Sequence, residues 1–82
     1  MFIVISYDIT DDRRRTRVFE ALKDYGTWVQ YSVFECELTA DDIARLQAML
    51  AGLINPREDS IRYYYLCRGC LRRCEVQGVT AR

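Results

Sequence analysis

Apolar positions along the chain switch between two periods. Met1 to Asp8 read Met-Phe-Ile-Val-Ile-Ser-Tyr-Asp, a β-branched apolar run closed by a carboxylate. Such a run predicts a buried strand over Phe2–Tyr7. From Asp11 the period becomes helical. Val18, Leu22 and Tyr25 recur on one face with Phe19 at its edge, which predicts a helix over Asp11–Asp24. Thr10 or Asp11 supplies its N-cap, Asp11 and Asp12 suit the positive end of its dipole, and Gly26 ends it. Thr27 to Leu38 is strand-forming throughout. It exceeds the usual strand length of about five or six residues, so two short strands are expected, or one strand broken near Gln30–Ser32. Thr39 to Asp42 resembles a capping box with Asp in place of Glu. The helix it opens runs to Leu53, with Ile43, Leu46, Leu50 and Leu53 on one face, and Asn55-Pro56 stops it. Ser60–Leu66 alternates Ile61, Tyr63 and Tyr65 with Arg62, Tyr64 and Leu66 and reads as another strand. Cys67–Arg73 reads as a turn and Cys74–Val79 as a last short strand.

The resulting order is β-α-β-β-α-β, the ferredoxin-like signature of the α+β class. It predicts a four-stranded antiparallel sheet with two helices on one face. No linker, repeat or low-complexity segment interrupts residues 1–82, so one domain is expected. The second sheet face would carry Tyr and Phe uncovered, and a homodimer through that open face is the simplest remedy.

Composition narrows the classes. A chain of 82 residues, half of them apolar, can build one core and is not a disordered polymer. The formal net charge is zero, which weighs against a non-specific nucleic-acid binder. The charge is segregated, however. Arg13, Arg14, Arg15 and Arg17 cluster early, Arg68, Arg72 and Arg73 cluster late, and Glu35, Glu37, Asp41 and Asp42 lie between them. A neutral total therefore still permits a basic ridge, doubled in a dimer. No apolar run approaches the roughly 20 residues of a membrane span, and the first residues lack the flanks of a signal peptide. A cytoplasmic protein with reduced thiols or metal-bound cysteines is expected. Histidine, the commonest general base, is absent.

Asp8 closes the first strand at the end where α/β sheets tend to place chemistry. Helical spacing puts Arg14 and Arg15 in the first turn, close to Asp8, with Arg13 toward solvent. One reading is a Mg²⁺ ligand with arginines gripping phosphate. The other is an acid that caps a helix or pairs with arginine, and spacing alone leaves both open. One carboxylate per chain is too few for a two-metal site. A two-fold axis near Asp8 would join two carboxylates around one Mg²⁺, with water and phosphate oxygens completing its shell. Ser6, Tyr7 and Ser32 are candidates to orient the attacking water, or plain structural residues. The arginine run has its own bland alternative, a solvated face paired with Asp12, Glu20 and Asp24. Cys67, Cys70 and Cys74, with Cys36 as a fourth, have a spacing that touches zinc sites, but the second close pair is missing and plain thiols are the preferred reading. Tyr63, Tyr64 and Tyr65 could stack bases; core or dimer packing is preferred.

Three stretches resemble the Cas-two family, the small CRISPR-associated proteins that partner the Cas-one integrase in spacer acquisition. They are Tyr7-Asp8-Ile9 with Asp11, Asp12 and Arg13-Arg14-Arg15; Val29 to Cys36; and Asp59 to Tyr64 with Leu66-Cys67, followed by Cys74 to Gly78. The resemblance spans nearly the whole chain in the family's order. It implies a ferredoxin-like homodimer in which Asp8 of each chain is the proposed ligand for Mg²⁺ or another divalent metal. It also implies an endonuclease acting on single-stranded RNA or double-stranded DNA, or else a non-catalytic DNA-binding adaptor bridging integrase dimers. Tyr7, Arg15, Arg17, Ser32 and Phe34 match positions the family uses around its site, and Arg14 joins them by spacing as a candidate nucleic-acid contact. A toxin-like ribonuclease is a third reading with the same fold. The short tail after Gly78 and the dense Cys67, Cys70 and Cys74 cluster depart from the family pattern. RNA cannot be told from DNA here, because backbone contacts carry no base information.

Overall fold

Burial along the first strand alternates strictly, and this decides the architecture. The computed structural model describes residues 1–78. Its elements in chain order are β1 (Phe2–Asp8), α1 (Asp12–Lys23), β2 (Thr27–Gln30), β3 (Val33–Glu37), α2 (Ala40–Ala51), β4 (Ser60–Leu66) and a short α3 (Arg68–Arg72). The strands form one sheet in the order β2-β3-β1-β4. β1 is flanked by β3 and β4, both antiparallel to it.

In β1, Ile3, Ile5 and Tyr7 are buried while Phe2, Val4, Ser6 and Asp8 are not. The buried set belongs to one core with Phe34 and Cys36 of β3, Val18 and Leu22 of α1, and Ile43, Leu46 and Leu50 of α2. Because successive strand residues point to opposite faces, this places both long helices on one face. The other face, carrying Phe2, Val4, Ser6, Asp8, Glu35, Glu37, Arg62, Tyr64 and Leu66, is left open. The α+β arrangement expected from the sequence is the one observed.

Local signals act as expected at the helix starts. Asp11 caps α1 by accepting from the Arg14 N–H. Thr39 and Asp42 close a reciprocal capping box on α2. The turn between β2 and β3 is two residues, Tyr31-Ser32, so the expected break near Gln30–Ser32 is a tight hairpin. Tyr31 takes a positive φ of 38° there, and the Trp28 indole N–H donates to its carbonyl at 2.8 Å. A side chain at positive φ is uncommon outside glycine and asparagine.

Two expectations fail after β4. Cys67–Arg73 is not a turn but contains the helix α3, because the Cys67 sulfur accepts from the Cys70 N–H and caps it. Residues 74–78 form no strand. No ladder partner faces them among the described residues, and a strand without a partner has no reason to form. Val79 lies outside the described residues. No helix among the described residues is long and apolar enough to cross a membrane.

Candidate functional site

Asp8 ends β1 on the open face and is exposed. The antiparallel register sets it opposite Ser60 and sets Ser6 opposite Arg62. Side chains paired this way lie within contact range. Together with Tyr64 and Tyr7 they line a recess of about 170 Å³ whose lining is mostly polar. The Arg62 guanidinium is held more firmly protonated by the neighbouring Tyr64 hydroxyl and, more weakly, by Asp8. The recess therefore offers one carboxylate, two serine hydroxyls and a cation on a rigid strand pair. Oxygen donors of this kind suit a hard divalent ion. No group of three or more His, Cys, Asp or Glu side chains is placed to hold a metal among the described residues, so Asp8 fits such an ion only as half of a set that phosphate, water or a second chain completes.

The alternation that exposes Asp8 sends Tyr7 to the opposite face. Tyr7, Arg15, Ser32, Thr16, Phe19 and Tyr31 line a separate groove of about 320 Å³ between α1 and the β2–β3 turn. The Tyr7 N–H donates to the Ser32 carbonyl at 3.0 Å, which fixes the turn against β1. Burial raises the Tyr7 hydroxyl pKa, opposed by the Arg15 cation and a Ser32 contact. The Arg15 guanidinium donates to the Ile9 carbonyl at 2.9 Å and pairs with Asp12. Tyr7, Arg15 and Ser32 are thus brought together, but not around the Asp8 carboxylate.

Arg14 does not reach Asp8. Its Nε donates to Asp59 Oδ2 at 2.7 Å and its Nη2 to Asp59 Oδ1 at 3.2 Å, with Glu58 Oε1 also 3.2 Å away. The Asp59 side chain is fully buried and also accepts from the Asn55 N–H at 2.8 Å. The guanidinium fork holds the Asp59 carboxyl below its usual range. This pair ties α1 to the loop before β4. Arg13 and Arg17 differ: they lie one turn apart on the outer side of α1, together with Asp12 and Thr16, and neither makes an ion pair among the described residues. Phe34 is fully buried, with its ring 6.4 Å from Tyr7 and 5.5 Å from Phe19. It supports the groove from below and touches nothing outside.

Ser60 and Arg62 are the residues that sequence reasoning missed, and Tyr64, read there as a possible base-stacking or packing residue, was not placed beside Asp8. The available signal was alternation in Ser60–Leu66, which puts Ser60, Arg62 and Tyr64 on one face. What was not available was the register that slides them beside Asp8.

The family model described as CRISPR associated protein Cas2 matches residues 1–74. A relative from Chloroflexus aurantiacus named CRISPR-associated endoribonuclease Cas2 3 is 49% identical over 79 residues, spanning 96% of this chain and 85% of the relative. The crystal structure of Streptococcus pyogenes Cas2 superposes with a TM-score of 0.84 at 34% identity, covering 95% of this chain and all of that one. A chain in a structure of a partial Cas6-RT-Cas1–Cas2 complex superposes with a TM-score of 0.81 at 28% identity, covering 92% of this chain and 82% of the other. By sequence match and fold, the chain belongs to the CRISPR-associated Cas2 family.

Proposed function

We propose that this chain is a divalent-metal-dependent endonuclease of CRISPR adaptation, cleaving phosphodiester bonds of single-stranded RNA or double-stranded DNA as a homodimer. The observation that carries this reading is the exposed Asp8 carboxylate at the end of β1, on the uncovered sheet face and beside Arg62. The relatives named endoribonuclease support the reaction class.

The open face suits a second copy. Phe2, Val4, Tyr64 and Leu66 give it an apolar stripe, with Glu35 and Glu37 on the β3 side and Arg62 on the β4 side. A two-fold axis along β1 brings both Asp8 ends together. The same axis lays β3 of one protomer over β4 of its partner, so the acids of each face the other's arginine. Converging Asp8 carboxylates would hold Mg²⁺, with Ser6 and Ser60 as neighbouring oxygen donors. When bound, the ion supplies activated water and neutralises charge on the phosphodiester. Arg62 orients a phosphate oxygen beside Asp8, and Arg13 and Arg17 grip the flanking backbone. Arg14 is assigned to holding α1 in place rather than to nucleic acid.

The relative seated in a complex with Cas1 favours a second reading of the same surface. In that reading the dimer is a DNA-binding adaptor between integrase dimers, and Asp8 is dispensable.

Purified wild-type and Asp8→Ala protein, incubated with RNA and DNA substrates in Mg²⁺ and in EDTA, separate the two. Cleavage that needs both Mg²⁺ and Asp8 upholds the nuclease. Equal cleavage by both proteins, or none, ends it and leaves the adaptor.

A further inference from the structure

Four thiols are present, and three of them, Cys67, Cys70 and Cys74, fall close together in sequence just after β4. Cys36 is the exception: it is buried on β3, where desolvation pushes its thiol up to about 11. Cys67, Cys70 and Cys74 are all exposed. Cys67 follows directly on β4 and Cys70 lies within α3. Their sulfurs are 3.4 Å apart, and the Cys70 N–H donates to the Cys67 sulfur, also at 3.4 Å. The sequence between them, Arg68-Gly69, makes a Cys-x-x-Cys spacing, which is characteristic of thiols that cycle through a disulfide. Cys74 is turned elsewhere, with its sulfur 3.5 Å from the Cys70 carbonyl.

We propose that Cys67 and Cys70 are a reversible redox-active dithiol that takes a low-molecular-weight disulfide as its oxidant. A side-chain rotation that closes about 1.4 Å brings the sulfurs to the bonded distance of about 2.05 Å. The two thiols are also differentiated. Hydrogen bonding from the Cys70 N–H and thiol holds Cys67 below the ordinary thiol value, whereas the Cys67 sulfur pushes Cys70 above it. This ordering makes Cys67 the attacking group. Its thiolate displaces one thiolate from the small disulfide and forms a mixed disulfide. Cys70 then gives up its proton, attacks the Cys67 sulfur and expels the second thiolate. Two protein thiols are oxidised to one disulfide, the small disulfide is reduced to two thiols, and the protons lost by the protein are those the products take up. The bond pins the residue after β4 to the middle of α3.

The chain itself provides the assay. Arg68 lies between Cys67 and Cys70, and Arg72 and Arg73 lie between Cys70 and Cys74. The full-length protein is incubated with oxidised glutathione, free thiols are blocked in acid, and the product is digested with trypsin. The proposal expects residues 63–68 linked to residues 69–72, with the link lost on reduction by dithiothreitol. Cys67→Ser and Cys70→Ser should abolish that linked pair, and Cys74→Ser should keep it. Protection of the buried Cys36 from alkylation verifies the fold of each variant. Absence of the linked pair, linkage of residues 69–72 to the fragment beginning at Cys74, or glutathione left bound on Cys67 would each overturn the proposal.

Discussion

Arg14 and Asp59, 45 residues apart in sequence, meet as a two-pronged ion pair with the carboxylate fully buried. A buried carboxylate stripped of its cation is strongly unfavourable. Arg14→Ala should therefore lower Tm by several degrees at neutral pH, with little direct effect on nucleic-acid contacts. The pH dependence follows from the lowered Asp59 pKa. Stability from this group is fully present above its unfolded value of about 3.9 and is lost as pH falls through the lower folded value. Urea titrations of wild type and Arg14→Ala should converge as the solution is acidified through the carboxylate range. A gap that stays constant would assign the loss to packing instead.

Arg13 and Arg17 carry the opposite expectation. If each contacts a phosphate of double-stranded DNA, Arg13→Gln and Arg17→Gln should each reduce the slope of log affinity against log salt by about 0.9. Arg14→Gln should leave the slope unchanged. Equal slopes in all three variants would return Arg13 and Arg17 to a solvated helix face.

Phe34 supports the groove only through the core. Phe34→Ala should cost about 3–5 kcal/mol in chemical denaturation, as for other large-to-small core changes. Phe34→Leu should retain most of that stability, and any loss of nucleic-acid binding should track the unfolded fraction. A binding defect in fully folded Phe34→Leu would mean that the ring reaches the ligand.

The face-to-face dimer proposed above predicts a charge exchange. Arg62→Glu should weaken the dimer by roughly 1 kcal/mol or more, since like charges then oppose Glu35 and Glu37. Adding Glu35→Arg to that variant should recover part of the loss, as read by sedimentation equilibrium. No recovery would place the interface elsewhere. Because Arg62 also borders Asp8, cleavage should fall in Arg62→Glu and stay low in the double variant.

How far the sequence could be read depended on the range of the interaction. Capping of α1 by Asp11, the Thr39–Asp42 box and the alternation of Ser60–Leu66 are local, and the structure reproduces them within a residue or two. α3 was hidden because a cysteine serves as its cap, where Ser, Thr, Asp or Asn is the usual signal. The long-range partners of Arg14 come from the loop before β4 and the cross-strand neighbours of Asp8 from β4 itself, so neither could be found by spacing along α1. The period-two rule did already separate Tyr7 from Asp8, and grouping them by adjacency overlooked it.

That separation also sets what evolution can do with β1. Tyr7 borders both hollows, but the other residues of the groove and of the recess can drift independently, because the sheet stands between them. The number of residues in β1 has no such freedom. One inserted residue ahead of Tyr7 would turn the strand over from that point: the tyrosine would face outward and the acid would enter the apolar layer. The length of this strand should therefore resist change far more than any of its side chains.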